Sequence, residues 1–433
     1  MTRMKESGVD WIGQIPEEWG VSKIKFTTQL NGRIGWQGLT SAEYKEEGPY
    51  LITGTDFHNG TINFETAVHI DEKRWSEASQ IQVENGDLLI TKDGTVGKVA
   101  IISGLDDKAS LNSGVLRIQT IDEIDRKFLY YVLLSDEFWM WFNYTNSGAS
   151  TILHLYQNVF DEFTFTFPQK NEQTKISDFL DKKTAQLDKA KALLEEQIQK
   201  LKDYRSSLIY ETVTKGLDKT VPMKDSGIDW IGQVPEGWGV KRLKDYVDFQ
   251  TGTTPPNSIG VNQEGKGIRW FKPGDFSDES IDLTSAENYI TSEIVNQKKL
   301  SVYPEKTILV VGVASIGKVG YSENSSYSNQ QITALKVIGQ IFPKYLAYFM
   351  FSSGQYIRET ALYTVVPIIN NQYLSSLKIV LPNLEEQESI VEYLDRQIMQ
   401  INKMITIKNQ QIENINKQRQ TLIYDYVTGK RRV

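Results

Sequence analysis

Two stretches of the chain share one apolar rhythm. Between Glu172 and Val213, leucine recurs every seventh residue, at Leu180, Leu187, Leu194, Leu201 and Leu208. Ile176, Ala190, Ile198 and Tyr204 widen that stripe. No proline breaks the run, and glycine is absent until Gly216. Heptad spacing of this kind predicts a long helix lying against another helix, with Asp178/Lys182 and Glu196/Lys200 as i, i+4 ion pairs on its flank. At 1.5 Å per residue such a helix extends about 63 Å. After Pro382 the pattern returns as Leu394, Ile398, Ile401, Ile405, Ile412, Ile415 and Leu422, with Lys408 standing where the first run has Leu194. The two runs begin alike, as Gln173-x-x-Ile176-x-x-Phe179-Leu180-Asp181 and Gln387-x-x-Ile390-x-x-Tyr393-Leu394-Asp395. They also end alike, at Leu208-Ile209-Tyr210-Glu211 and Leu422-Ile423-Tyr424-Asp425.

The segments ahead of each helix mix periods of two and of 3.6. GDLLITKDGTVGKVAII (86–102) and KTILVVGVASIGKVGYS (306–322) each read as two strands joined by a tight turn. FLYYVLLS (128–135) and YLAYFMFS (345–352) read as buried helical segments. FDEFTFTFP (160–168) and LSSLKIVLP (374–382) read as strands running into a proline. Both segments open on one phrase, DWIGQIPEEWGV (10–21) and DWIGQVPEGWGV (229–240). Extended to Lys5–Lys25 against Lys224–Lys244, it is identical at fourteen of twenty-one positions. Trp11, Trp19, Trp230 and Trp238, with Ile12 and Ile231, are expected to pack the opening strands onto their cores. Gly13/Gly232 and Gly20/Gly239 are expected at turns with positive φ. Elsewhere, as in 33–44 against 255–267, the copies show little similarity. The chain therefore reads as an internal repeat, domain, helix, domain, helix: residues 1–169, 170–216, 217–383 and 384–433. The fold class is α+β, with two homologous mixed α/β domains separated by two long helices. Similar scaffolds carrying different surfaces suit two ligands, or two parts of one asymmetric ligand.

Composition narrows the chemistry. The chain has no cysteine, which removes disulfides, thiolate metal sites and cysteine nucleophiles, and its three histidines (His58, His69, His154) have no metal-ligand spacing. The N-terminus lacks the apolar run of a signal peptide, and no stretch approaches the roughly 20 apolar residues of a membrane span; a cytoplasmic protein is expected. Net charge is −7, and residues 1–169 alone carry −10, which argues against binding nucleic acid by charge alone. GVASIGKV (312–319) nearly completes a phosphate-binding loop, but Val319 stands where a magnesium-holding hydroxyl belongs, and Lys92 replaces Gly312 in the first copy. A hairpin turn explains it better. No hydrolase, dinucleotide-binding, adenine-methyltransferase or helicase motif is present, so the chain reads as non-catalytic.

The ordered set of D-W-I-G-x-x-P-x-x-W, G-D-L-L-I…G-x-x-G-K and P-x-x-x-E-Q-x-x-I-x-x-[FY]-L, at Pro168 and again at Pro382, resembles the specificity subunit of type I restriction–modification systems over nearly the whole chain. That resemblance implies two target recognition domains, each gripping half of a split, asymmetric DNA site. It implies two spacer helices, paired antiparallel through Leu180, Leu187, Leu194, Leu201, Leu208, Leu394, Ile401, Ile415 and Leu422, that hold the domains a fixed distance apart. Two modification subunits would dock on this frame and methylate adenine with S-adenosylmethionine, and restriction subunits would bring ATP- and Mg-dependent translocation and cleavage. Neither cofactor is expected on this chain.

Residue types that address base edges single out Arg33, Trp36, Gln37, Lys92, Lys98 and the loop Asn146, Ser147, Gly148, Ala149, Ser150 and Thr151 in the first domain. In the second they single out Lys272, Lys318, Tyr363, Thr364, Asn370 and Asn371. The rival readings are a coiled-coil scaffold that binds only proteins and a nucleotide-using enzyme built on residues 312–319.

Overall fold

The computed structural model describes residues 3–33, 39–146, 153–254, 261–298, 300–363 and 367–433. The chain divides into two compact units, Met1–Leu193 with Gln410–Val433, and Leu194–Asn409. Both divisions fall inside long helices, Lys170–Lys215 and Leu384–Val427. Each unit therefore contains the first part of one long helix and the last part of the other.

In the first unit an antiparallel sheet runs in the order Val99–Ile101, Leu88–Thr91, Val115–Thr120, Thr28–Gly32. A second, mixed sheet runs Val68–His69, Lys45–Ile52, Ala109–Leu111, Gln82–Val83, with Ala109–Leu111 parallel to Lys45–Ile52. The second unit repeats the antiparallel sheet and three strands of the mixed one, whose fourth strand lies on the opposite edge. Its antiparallel sheet is Val247–Thr251, Ile332–Val337, Thr307–Val311, Val319–Ser322. Its mixed sheet is Val261–Asn262, Asn288–Ile290, Ile268–Phe271, Ser326–Ser328, with the last two strands parallel. The repeat thus extends through the mixed sheet, where the sequences diverge.

The opening phrase folds as expected, with one correction. Trp19, Trp238, Ile12 and Ile231 are buried, and Trp11 and Trp230 pack at the edges of the two cores. Gly13 and Gly232 have φ of 66° and 72°. Gly20 and Gly239, however, begin the strands Gly20–Lys23 and Gly239–Arg242 and are absent from the positive-φ glycines. At Gly20 the reason for glycine is space: a Cβ there would lie 3.1 Å from the Phe167 ring on the paired strand.

The helix-start motif acquires a physical meaning. In the first unit Gln173 accepts from Asp125 N (2.8 Å) and donates to Pro168 O (2.8 Å). In the second, Gln387 accepts from Phe342 N (2.8 Å) and donates to Pro382 O (2.9 Å). Both glutamines are buried, so each fastens the start of a long helix to the helix Arg126–Leu134 or Pro343–Ser352. Eight residues on, Asp181 accepts from Tyr131 and Lys127, as Asp395 does from Tyr348 and Lys344.

Within each unit the long helices lie antiparallel. In the first, the Phe179 and Tyr426 rings pack at a tilt (4.6 Å between centroids) and Asp188 meets Arg419 (3.5 Å). In the second, Arg205 donates to Asn402 (2.6 Å) and Lys408 to Gln197 (2.5 Å). Lys408, which interrupts the apolar seam, thus finds a polar partner on the facing helix. Leu180, Leu394 and Ile401 are buried; Leu187, Leu194, Leu201, Leu208, Ile415 and Leu422 are half-buried, as a two-helix seam requires. Tyr204 departs from expectation: it is 54% exposed, and Arg205 is the buried residue. Position 205 follows Leu201 by four residues, on the seam side of a helix with 3.6 residues per turn. Its guanidinium is satisfied by Asn402 and Glu279.

The helix ends enter the cores. Ile176, Leu180, Ile423 and Val427 are buried in the core of the first unit; Ile209, Val213, Ile390 and Leu394 are buried in that of the second. Ile423→Ala is expected to cost the first unit about 2–5 kcal/mol, although it lies at the far end of the chain. Hydrogen exchange should show faster opening of amides in residues 88–132 and unchanged protection in residues 307–350. A second expectation concerns acid. The Lys202 ammonium, and then the Arg205 guanidinium, hold the Glu279 carboxyl below its ordinary value. The stabilisation is present above the unfolded carboxylate pKa and is lost as pH falls through the lowered folded value. Denaturation of wild type and Glu279→Gln should therefore converge in strong acid and differ at neutral pH.

Candidate nucleic-acid interface

The tight turns of the two hairpins are superposable in their bonding. Thr91 N bonds to Lys98 O and Gly97 N to Thr91 O (both 2.9 Å). Val311 N bonds to Lys318 O (2.9 Å) and Gly317 N to Val311 O (3.2 Å). Gly94 and Ala314 both take left-handed φ, 72° and 64°. A strand, Val99–Ile101 or Val319–Ser322, follows each turn, so no helix N-terminus is available to receive a phosphate. Gly317 (φ 78°) lies so close to the helix Gly354–Thr360 that a Cβ would meet Gly354 O at 2.6 Å. These glycines serve turn geometry and close packing.

Beside each turn, three other chain segments meet it at one end of the two sheets. In the first unit Lys92 N bonds to Gly114 O (2.8 Å), Leu155 N to Lys92 O (2.9 Å), and Asn112 N to Ile52 O (2.9 Å). In the second, Gly312 N bonds to Gln331 O (2.7 Å), Ile369 N to Gly312 O (2.9 Å), and Asn329 N to Phe271 O (3.1 Å). The fourth segment is the turn after the parallel strand. Asp56 accepts from Thr53 N (2.7 Å), and Asp275 accepts from Lys272 N (2.7 Å). This turn reads Thr53-Gly54-Thr55-Asp56-Phe57 in one copy and Lys272-Pro273-Gly274-Asp275-Phe276 in the other, at the same shift of 219 as the opening phrase. The shared G-x-D-F or x-G-D-F ending was the available sequence signal that the repeat continues here.

The backbone of this end is common to both units, and its side chains differ. Where Asp93 meets His154 (Oδ1 to Nδ1, 2.7 Å) in the first unit, the second has a backbone bridge between Val313 and Ile368. Thr53, Thr55, Lys92, Asn112 and Ser113 line the first end at least partly exposed. Thr251, Thr253, Thr254, Lys272, Gln330 and Asn371 do so in the second. Hydroxyls and amides with a few ammonium groups can donate to and accept from base edges, and ammonium groups can meet phosphates.

Among the sequence candidates, Lys92 belongs to the first end. Lys98 is exposed at the hairpin and donates to Gly54 O (3.4 Å). Lys272 and Asn371 belong to the second end. Lys272 lies over the Trp270 ring (4.8 Å), and Asn371 accepts from Thr333 (3.1 Å) and donates to Thr251 (3.4 Å). Others have structural employment. Arg33 is only 4% exposed, with its guanidinium donating to Leu111 O (2.8 Å) and Ser110 Oγ (3.3 Å). Burial lowers its pKa, and it braces the mixed sheet instead of facing outward. Lys318 pairs with Asp278 (3.0 Å) and also bonds to Phe276 O (3.3 Å). Asn146 closes the helix Asp136–Thr145 by donating to Phe142 O, and Asn370 caps the helix Asn371–Ser376 by accepting from Tyr373 N. Tyr363 lies in the short strand Leu362–Tyr363. Trp36, Gln37, Ser147, Gly148, Ala149, Ser150, Thr151 and Thr364 lie outside the described residues. Sequence reasoning missed Thr254, Ser113 and Gln330, because nothing in a single sequence marks a turn that joins two sheets.

Two segments of the chain, 16–202 and 235–416, match the family model described as type I restriction modification DNA specificity domain. The chain belongs to this specificity family. It is 25% identical to the putative type I restriction enzyme MjaX specificity subunit of Methanocaldococcus jannaschii, over 98% of this chain and 96% of that one. It is also 25% identical to the type I restriction enzyme EcoBI specificity subunit of Escherichia coli, over 98% and 89%. The fold resembles that of a chain solved in work on complex assembly and conformational transition of the type I R-M system (TM-score 0.75, 17% identity, covering 96% and 99%). It also resembles the HsdS subunit of Thermoanaerobacter tengcongensis (TM-score 0.53, 16% identity, covering 96% and 98%).

The sheet ends of this specificity-family chain present hydroxyls, amides and ammonium groups. The large upward displacements of pKa belong to interior groups. Burial raises Tyr131, Tyr345 and Tyr348, and brings Tyr303 and Tyr321 to about 12. Burial also raises Glu137, whose oxygens have no partner among the described residues. Among the described residues no acidic or histidine cluster could hold a metal ion, and no helix is long and apolar enough to cross a membrane. Titrating the purified chain with Mg·ATP is expected to give no saturable heat. Saturable binding that Lys318→Ala abolished would show that the turn at 312–318 does hold phosphates.

Proposed function

We propose that this chain is the sequence-reading subunit of a type I restriction–modification assembly and carries no catalytic centre of its own. Each unit reads one half of a split, asymmetric double-stranded DNA target. Two modification subunits docked on the chain methylate adenine with S-adenosylmethionine. Restriction subunits supply ATP- and Mg-dependent translocation and cleavage. The observation that carries this reading is the repeated end of the sheets, with one backbone arrangement and two sets of side chains. Identical ends would favour a palindrome, whereas different ends suit two different half-sites. The relatives support it as well, since they are specificity subunits of type I restriction enzymes along nearly their whole length.

Phosphate contacts dominate the affinity of most DNA-binding proteins, and the first 169 residues carry a charge of −10. The partner subunits therefore supply much of the positive field, and this chain supplies the base contacts.

The test is an exchange. Replacing residues 26–167 with the equivalent segment of a relative, in cells that also make the modification subunits, should change one half of the methylated motif. The other half should stay as it was, as read by methylome sequencing. Simultaneous change of both halves would show joint reading and overturn the modular assignment. Wild-type cells with no methylated split motif would overturn the function itself.

A further inference from the structure

Three successive amide side chains, Asn329, Gln330 and Gln331, form the turn between the strand Ser326–Ser328 of the mixed sheet and the strand Ile332–Val337 of the antiparallel sheet. Two of them lock each other. Asn329, 8% exposed, donates through Nδ2 to Gln331 Oε1 (2.9 Å) and accepts from Gln331 N (3.1 Å). The third, Gln330, points outward and is exposed. Among the described residues its side chain bonds to Thr254, whose hydroxyl donates to Gln330 Oε1 (2.5 Å). A primary amide carries two hydrogens and an oxygen with two lone pairs, so this single bond leaves both donor and acceptor capacity for a ligand.

We propose that Gln330 is a specificity-determining residue of the second reading unit, tethered by Thr254 where it can recognise an adenine in the major groove. The assignment rests on the DNA-reading function proposed above.

A donor beside an acceptor on one planar group complements adenine, which offers N7 as acceptor and N6 as donor. Guanine offers two acceptors at the same edge, N7 and O6, and cytosine a donor alone. The bond to Thr254 restrains the side chain before DNA arrives and lowers the ordering cost of binding. The surroundings suit an approaching duplex. Thr251, Thr253 and Thr254 bring hydroxyls, Asn371 an amide and Lys272 an ammonium. Asp275 is occupied by the backbone N–H groups of Lys272 and Glu287. The corresponding turn of the first unit carries Ser113, whose hydroxyl is bound to Asn112 Oδ1 (3.0 Å). The two units thus present different chemistry at one backbone position.

The experiment uses the full chain in complex with its modification subunits. Binding is measured against a panel of duplexes carrying each base at every position of the methylated motif. Wild type should require adenine at one position of the second half-site, by roughly ten- to a hundredfold over other bases. Gln330→Ala should flatten that preference and leave the first half-site and the gap unaltered. Gln330→Arg, with donors only, should move the preference toward guanine. Thr254→Val should weaken the same discrimination without shifting it to another base. The Asn329–Gln331 lock is untouched in all three variants, and circular dichroism checks folding. A wild-type motif that Gln330→Ala reproduces without change, or relaxes equally in both halves, overturns the assignment alone. A wild-type complex that retains no duplex preferentially overturns the DNA-reading function and this assignment with it.

Discussion

Everything in this fold depends on a helix end closing over an opening phrase. In the second unit Tyr210 donates to Trp230 O (3.0 Å); in the first, Tyr424 donates to Trp11 O (2.9 Å). Lys430 adds bonds to Ile12 O and Gln14 O, both at 2.6 Å. Each phrase thereby gains donors for its turn carbonyls and an apolar cover, Ile209 and Val213 for one, Ile423 and Val427 for the other. The two closures differ in the chain they span, 20 residues in one case and 413 in the other. Because closure entropy grows only with the logarithm of length, that ratio costs about 3 kcal/mol for a flexible chain. The burial of two aliphatic side chains, roughly 1.5–3 kcal/mol each, is enough to offset it. The second closure can therefore reuse the first one's chemistry across nearly the whole sequence.

With the cores closed in this way, the free end of the sheets is held largely by main-chain bonds. Those at Lys92, Gly114 and Leu155, and at Gly312, Gln331 and Ile369, use backbone groups alone. Backbone bonds do not depend on which side chain sits above them. One scaffold can therefore carry Asp93 with His154 in one copy, Val313 with Ile368 in the other, and a different polar surface in each.

The acidic count of the first domain changes meaning once burial is known. Asp56 and Asp87 are each 1% exposed, the first fastened by Thr53 and Thr66, the second by Arg117 and the Glu84 amide. Glu137 is buried, and burial favours its neutral form. Part of the −10 is therefore structural and contributes less to the field at the surface than a sum over residues implies. Asp93, at the free end of the sheets, has His154 against it.

Period and repetition were legible in the chain itself. A heptad seam over 40 residues can be satisfied only by a partner helix, and a phrase repeated with two tryptophans announces two copies of one packed structure. Family, fold class, the paired helices and the hairpin nature of the Gly-x-x-Gly-Lys turns follow from such local rules, because each concerns residues close in sequence or matched in order. Three-dimensional neighbours had to be seen. Arg33 has the chemistry of a base reader, but Leu111 O, 78 residues away, takes its guanidinium. Tyr204 looked like seam, but Arg205 is the buried residue, with Asn402 and Glu279 supplying its partners from other segments. Gln330 had no distinguishing pattern at all, since its partner is Thr254, 76 residues earlier. A side chain's type is written in the sequence; whether it is spent inside the protein or left free for a ligand depends on contacts between distant segments, and only the folded chain brings those together.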